Sequence, residues 1–428
     1  MIRSLVRKFT AVGFLLASTA FISLWLLSPT FALLFFHSYA YLNYLRLMDV
    51  ELFSMVINNI LFYMLLGLQS FRLNGILNIF MYATGYGLII PFLLVNSNPI
   101  RIIFAWIAGY YVTTFLLCYV HSKVGRPAPA DSGVPLSPVL SYSIPVFISG
   151  VVSYGATYVD RFIVSFLINL SELGIYNFSL VLTNAISILL LPFTSVLLSR
   201  LSEFYGRGDR ESFRLYSLKA SEVLTAIYIP VALLVASLSP SILLFLANIN
   251  YIPGSVPIII IFTASSLTVS VNIFAVTLQA IRKTRFFIAS SSLGLISNVI
   301  LSIILIPRIG IDGAAIGYAS TGVASFIVIY HYARKYGTFV FERVKMLKIY
   351  ASGIVMFILT AIVQERLGYS ILKLFVYIVT GLEVYLFSVR VLETFDEGDI
   401  DLFLGMIPGS YWRVKRFIRS LFVWLPCS

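Results

Sequence analysis

The stretch GATYVDRFIV, residues 155–164, places an acidic and a basic side chain next to each other within an otherwise apolar segment, residues 141–168. This segment is long enough to cross the roughly 30 Å of hydrocarbon in a bilayer, which takes about 20 residues of α-helix. A charge that faces lipid at such a depth costs about 2.5 to 3.5 kcal/mol. We therefore expect Asp160 and Arg161 to find partners or water inside the membrane.

The rest of the chain has the composition of a membrane protein. Hydrophobic residues make up 59% of the 428 residues and charged residues 11%, and the mean hydropathy is +0.95. A soluble domain of this size could not carry that composition. The sequence predicts an all-α polytopic membrane protein with about twelve transmembrane helices. The predicted spans are residues 10–36, 50–71, 74–96, 99–121, 141–168, 173–201, 218–238, 255–281, 285–306, 312–335, 345–364 and 370–391.

The net charge of +12 has a topological explanation. Most of the 30 Lys and Arg residues lie in alternate connections between the predicted spans, beginning with the N-terminal segment. By the positive-inside rule, this distribution predicts a multi-pass protein of the cell membrane with both termini cytoplasmic. It gives no support to nucleic acid as a partner.

No metal or cofactor is expected. The histidines His37, His121 and His331 stand singly at the ends of predicted spans, whereas a metal site needs several ligands at close spacing. An enzyme is also disfavoured, because the connections predicted to face outwards are short and hold few ionisable groups for an acid–base cluster. A membrane-bound glycosyltransferase or polymerase is therefore the least favoured function.

Polar side chains form stripes along several predicted spans. At about 100° per residue, the polar residues of segment 147–167 fall within one sector of the helix. That sector holds Ser149, Gly150, Ser153, Tyr154, Thr157, Asp160, Arg161 and Ser165. Similar stripes follow at Tyr176, Asn177, Thr183, Asn184, Ser187 and Thr194, at Ser265, Thr268, Asn272 and Gln279, and at Ser291, Asn298 and Ser302. We expect these stripes to line a hydrated cavity. The alternative is hydrogen bonding between packed helices, with Asp160 and Arg161 each tied to a neighbouring helix.

A family resemblance is carried first by residues 158–213, YVDRFIVSFLINLSELGIYNFSLVLTNAISILLLPFTSVLLSRLSEFYGRGDRESF. With its Asp-Arg pair, its Gly-Ile-Tyr helix start and its mid-helix proline, this run resembles the Wzx-type polysaccharide-transport flippases. These belong to the multidrug/oligosaccharidyl-lipid/polysaccharide exporter superfamily. Residues 239–266 and 278–320 resemble the same family, with an Ile-Pro, Gly-Ile and Gly-Ala-Ala signature at 306–315. The resemblance covers about residues 50–390.

The resemblance implies a fold and a domain organisation. Proteins of this family have two helical lobes that face each other across a cavity, and they move a lipid-linked oligosaccharide across the membrane by alternating access. The start of this chain looks like the family's third helix, so the first lobe is expected to lack two helices. The implied domains are an N-terminal lobe of about four spans at 1–121, a cytoplasmic Pro-rich linker at 122–140, the first six or so spans of a C-terminal lobe at 141–336, the last two spans at 337–391 and a cytoplasmic amphipathic tail at 392–428.

The resemblance also implies a substrate, a glycan linked to a polyprenyl diphosphate. Arginine can grip two phosphate oxygens at once, which suits Arg161 to the diphosphate, and hydroxyl and amide side chains suit sugars. The predicted substrate-binding residues are Arg161, Asp160, Thr157, Tyr154, Asn177, Asn184 and Asn272. Asp160 and Glu383 are candidates for proton or ion coupling. Membrane lipids and glycan-assembly proteins are further expected partners, and a multidrug exporter of the same superfamily is the alternative function.

Overall fold

The computed structural model describes residues 2–67, 70–95, 99–124, 136–187, 190–284, 286–337 and 342–395. These residues form fifteen α-helices and two short 3-10 helices, and no strand is found among them. The predicted all-α class is confirmed. The chain divides into two compact units, Met1–Ile144 and Pro145–Ser428. Most of the predicted C-terminal tail and the middle of the predicted linker lie outside the described residues.

The first unit is built on four long helices: α1 (Ile2–Phe36), α2 (Leu42–Gly67), α3 (Phe71–Val95) and α4 (Ile100–Val124). Helix α1 packs on α2, and α4 packs on both α2 and α3. Two hydrogen bonds of Asn58 lie within this apolar packing. The Asn58 amide donates to the Tyr110 carbonyl at 3.0 Å, and the Thr114 hydroxyl donates to Asn58 Oδ1 at 2.8 Å. Both polar ends of the buried Asn58 side chain are thereby satisfied.

The second unit holds the remaining helices, the first of which begins before the boundary at residue 145. They are α5 (Leu136–Leu167), α6 (Leu170–Ser187), α7 (Leu190–Arg207), α8 (Arg210–Ser237), α9 (Ser239–Leu246), α10 (Ser255–Thr268), α11 (Ser270–Ala280), α12 (Phe286–Ile309), α13 (Ile311–Lys335), α14 (Arg343–Leu367) and α15 (Ile371–Val391). Helix α8 is the most buried of the long helices and packs on α7, α10, α11 and α14. Helix α13 packs on α10, α11 and α12. These contacts place α8 and α13 at the centre of the unit.

Within the described residues, ten helical segments are long and apolar enough to cross a membrane. Helix α5, with 32 residues, also exceeds the length that a span requires. Two predicted spans differ from the structure because each is divided into two helices. The predicted span at 173–201 becomes α6 and α7, with Pro192 in the first turn of α7, where the missing N–H leaves no helical hydrogen bond unmade.

The second divided span is the one predicted at residues 255–281, which becomes α10 and α11. The division falls at Val269, where the Asn272 N–H bonds to the Val269 carbonyl at 3.1 Å, three residues back. This is the tighter spacing of a 3-10 turn. The Thr268 hydroxyl bonds to the Ala264 carbonyl at 3.0 Å, one of the side-chain contacts that compete with regular helix geometry.

Close packing of α12 against α13 depends on glycine. A Cβ atom at Gly313 would lie 2.6 Å from the Leu305 carbonyl carbon, and a Cβ at Gly317 would lie 2.2 Å from Ser302 Oγ. The turn between the two helices contains Gly310, whose φ of 60° is a left-handed conformation that favours glycine. Small residues therefore let the two backbones approach, as is common between membrane helices.

Candidate functional site

Asp160 is completely buried on α5, where it faces α6. The Tyr176 hydroxyl donates a hydrogen bond to Asp160 Oδ2 at 2.5 Å, and the Ala314 carbonyl of α13 lies 3.3 Å from the same hydroxyl. Tyr176 is itself fully buried, in an apolar cluster with Val164 and Leu180. Within the described chain, Asp160 Oδ1 has no hydrogen-bond partner. The acid is thus held between helices by one strong contact and keeps one oxygen free.

Helix α12 supports α5 from another side. The Asn298 amide donates to the Ala156 carbonyl at 3.2 Å, and the Ser302 hydroxyl donates to Asn298 Oδ1 at 2.9 Å. Both Asn298 and Ser302 are completely buried. The expectation that this stripe lines water is wrong, because these polar groups are used in contacts within and between helices. The alternative of interhelical hydrogen bonding describes them correctly.

Arg161, the next residue after Asp160, points to a different surface. Its guanidinium carbon lies 4.3 Å from the ring centroid of Tyr158, within the range of a cation–π interaction. The Tyr158 ring in turn stacks on Tyr154 with centroids 4.4 Å apart. Nε and Nη1 of Arg161 are buried and have no hydrogen-bond partner in the part of the chain that the structure describes. The charge is therefore stabilised by an aromatic face, while two strong donors stay available for an anion.

The remaining predicted site residues are all exposed but lie on several helices. Tyr154, 67% exposed, and Thr157 lie on α5 near Arg161, and Asn177 and Asn184 lie on the exposed face of α6. Asn272 is on α11, which packs on α7, α8 and α13, and Glu383 is on α15, which packs on α8, α9 and α14. Helix α5 brings Tyr154, Thr157, Asp160 and Arg161 together, whereas Asn272 and Glu383 belong to other parts of the unit.

Three contributors to this arrangement were not among the predicted site residues: Tyr158, Tyr176 and Asn298. The sequence contained a signal for Tyr158, because residues three and four apart on a helix are neighbours, and Tyr158 precedes Arg161 by three and follows Tyr154 by four. It contained no comparable signal that Tyr176 would bond to Asp160. That contact depends on the turn at residues 168–169 between α5 and α6.

Within the described residues, no group of three or more His, Cys, Asp or Glu side chains is placed to hold a metal ion. The polar groups that the site does contain are a guanidinium, a carboxylate, hydroxyls and aromatic rings. Such groups can hold an anion and stack against or hydrogen-bond to sugars.

The sequence and the fold both have known relatives. A family model described as "Polysaccharide biosynthesis protein" matches residues 5–256. The chain belongs to this family. No curated protein matches it in sequence. The polysaccharide-transport family predicted from the sequence is thereby confirmed.

Two of the solved structures with the same fold as this chain are membrane transporters. The structure described as "Lipid II flippase MurJ, inward closed conformation" has a TM-score of 0.71 and 18% identity, covering 91% of this chain and 83% of that chain. An inward-facing multidrug resistance MATE family transporter of the MOP superfamily has a TM-score of 0.64 and 15% identity, covering 76% of this chain and 79% of that chain. The chain therefore has the fold shared by a lipid flippase and by multidrug transporters.

Proposed function

We propose that this protein is a flippase that moves a polyprenyl diphosphate-linked oligosaccharide across the cell membrane by alternating access. The observation that carries the proposal is the Arg161 guanidinium, which lies on a membrane helix with two unpaired donors. The family assignment and the similarity in fold to a lipid II flippase support the same substrate class. The proposal includes both termini on the cytoplasmic side, as the distribution of Lys and Arg predicts.

The physical argument concerns the two ends of the substrate. A sugar chain on a diphosphate cannot cross hydrocarbon unaided, whereas its polyprenyl tail never needs to leave the lipid. The carrier must therefore replace the water around the head group with polar side chains. Arginine is suited to a diphosphate because its planar donors can bind two oxygens at once. Thr157 and Tyr154 lie on the same helix and supply a hydroxyl and an aromatic ring for the sugar.

We assign Asp160 a different role from Arg161. Because Asp160 is buried and bonded to Tyr176, it is poorly placed to contact a glycan in this conformation. Its free oxygen and its position between α5, α6 and α13 suit it to proton coupling, in which protonation would change how these helices are held together. Asn177, Asn184 and Asn272 are proposed as sugar contacts, and Glu383 as a second candidate for coupling.

In this proposal the protein is a transporter that performs no chemical step. Its partners are membrane lipids and glycan-assembly proteins. Multidrug export is the second candidate, since the fold is also that of MATE transporters. The two functions differ in the charge of the cargo. A diphosphate-linked glycan is anionic and needs the Arg161 cation, whereas a lipophilic cation would be repelled by it.

The test is a flipping assay with the purified full chain in vesicles. The vesicles carry a fluorescent disaccharide on a short polyprenyl diphosphate, and a membrane-impermeant quencher reports which label is on the outer surface. We expect label in the inner leaflet to become quenchable only in vesicles that contain the protein. A parallel assay with a fluorescent lipophilic cation should show no uptake. Cation uptake without glycan movement would contradict the proposal.

A further inference from the structure

A groove runs along an exposed face of α13. None of the residues that line it belongs to the site on α5. Its apolar part has a volume of about 430 Å³. It is lined by Ile260 of α10, by Leu293 of α12 and by Ile316, Ala319, Val323 and Ile327 of α13, among others. The exposed side chains Val323 and Ile327 form part of its wall. The lining of this groove is almost wholly apolar, which suits a hydrocarbon chain.

A basic pocket adjoins the end of this groove. It has a volume of about 520 Å³ and is lined by Ile327, Tyr330, His331, Arg334 and Lys335. Ile327 lines both cavities, so the apolar groove and the basic pocket are neighbours on α13. His331, Arg334 and Lys335 are all exposed. None of the three forms an ion pair in the part of the chain that the structure describes.

The dimensions match one leaflet of a bilayer. Ile316 and Ile327 are eleven residues apart on a continuous helix, which corresponds to about 16 Å along its axis. Half of a bilayer's hydrocarbon core is roughly 15 Å thick. Arg334 and Lys335 stand in the last turn of α13, where a span meets the membrane surface. If the groove lies within the hydrocarbon of one leaflet, the basic pocket therefore lies at the depth of that leaflet's lipid head groups.

Aromatic side chains complete the basic end. The Arg334 guanidinium carbon lies 5.9 Å from the Tyr330 ring centroid, and the Lys283 Nζ lies 5.3 Å from the Tyr336 ring centroid. Aromatic rings of this kind anchor a protein at the membrane interface. All the residues that line the basic pocket belong to the last part of α13. Basic side chains next to apolar surface at a membrane interface attract anionic lipid head groups.

We propose that this groove and pocket together bind one anionic glycerophospholipid of the surrounding leaflet. An acyl chain occupies the groove between α10, α12 and α13, and the phosphate lies among His331, Arg334 and Lys335. In the predicted topology this is the cytoplasmic leaflet. The inference does not depend on the flippase function, because it concerns lipid bound beside the transporter and not its cargo.

The test is native mass spectrometry of the purified full chain, titrated with phosphatidylglycerol or phosphatidylcholine of the same acyl chains. We expect phosphatidylglycerol to bind roughly tenfold more tightly. The double variant Arg334→Ala/Lys335→Ala should bind both lipids equally and weakly. The matched control Arg210→Ala/Arg214→Ala loses the same charge from exposed positions on α8 and should keep the preference.

A separate variant tests the groove. Val323→Phe adds bulk to an exposed groove position without changing charge, and it should weaken the binding of both lipids. Equal binding of the two lipids by the unaltered chain would overturn the proposal, as would an equal loss in the α8 control. Displacement of phosphatidylglycerol by inorganic phosphate would show a simple anion site instead. Displacement by polyprenyl phosphate at lower concentration would show that the groove belongs to the carrier lipid.

Discussion

The Tyr176 hydroxyl on α6 donates a hydrogen bond to Asp160 Oδ2 on α5 at 2.5 Å. The acid is therefore tied to a neighbouring helix, whereas Arg161, beside it in sequence, rests on the Tyr158 ring of its own helix. The two charges do not serve as each other's main partner. This division places the acid in a contact between helices, and under the proposed function it leaves the arginine to bind the cargo.

The Asp160–Tyr176 contact should contribute measurably to stability. Tyr176→Phe leaves both carboxylate oxygens of the buried Asp160 without a partner, and we expect it to cost about 1 to 3 kcal/mol. Asp160→Asn keeps an oxygen that can accept the Tyr176 hydroxyl and should cost less. Thermal unfolding in detergent measures both. Equal costs, or a Tyr176→Phe variant as stable as the parent, would show that the hydrogen bond does not hold α5 to α6.

Glycine at 313 should be required for the packing of α12 on α13. Gly313→Ala places a Cβ 2.6 Å from the Leu305 backbone, so α12 must move away and the melting temperature should fall. Gly150→Ala on α5 is the matched control, since a Cβ there meets nothing within 4 Å. The control should be neutral or stabilising by up to about 1 kcal/mol, because alanine is the better helix former. A loss of equal size in both variants would refute the packing argument.

A buried ion pair connects α8 to α14. Glu222, with its side chain 2% exposed, pairs with Lys345 at 3.3 Å and with Lys219 at 3.2 Å. Lys345→Met should destabilise the second unit by roughly 3 kcal/mol, because it leaves a buried carboxylate with less compensation. Lys219→Met is the control, since Lys219 is more exposed and lies on the same helix as Glu222. The Lys345 variant should be the less stable of the two in a detergent melt.

The start of α8 should respond to acid through Asp209. This residue caps the helix by accepting a hydrogen bond from the Ser212 N–H at 2.9 Å. Hydrogen bonds from Ser212 lower the pKa of the Asp209 carboxyl below its usual range. A lowered pKa in the folded state means that the cap stabilises above about pH 4 and that this contribution is lost as the pH falls further. Asp209→Asn keeps an N-cap and should remove this part of the acid sensitivity. Thermal unfolding of both proteins at pH 7 and at pH 3.5 would measure the difference.

The sequence predicts the helices well because apolar length is a local property. It predicts less well where a helix ends without proline or glycine, as at Val269, because only a backbone hydrogen bond marks that turn. Two polar residues that lie three or four apart on a helix can either pack against a neighbouring helix or face outwards, and the sequence does not distinguish these two cases. Asn298 and Ser302, four residues apart, face a neighbouring helix. Tyr154 and Thr157, three residues apart, face outwards, although either spacing puts both side chains on one face of a helix. Only the packing of α5 against α6 and α12 separates the two cases.

Transport by Arg161 variants tests the central claim most directly. In the vesicle assay, Arg161→Ala should lower the rate of glycan flipping roughly 10- to 100-fold, because two charge-assisted hydrogen bonds to the diphosphate are lost. Arg161→Lys should recover only part of the rate, since lysine keeps the charge but not the planar donors. Arg308→Ala, at the exposed end of α12, is the control and should flip at the normal rate. All variants should melt within a few degrees of the parent. The account would be contradicted if Arg161→Ala flips the glycan at the normal rate, or if it unfolds and a second change at Asp160 restores both folding and transport.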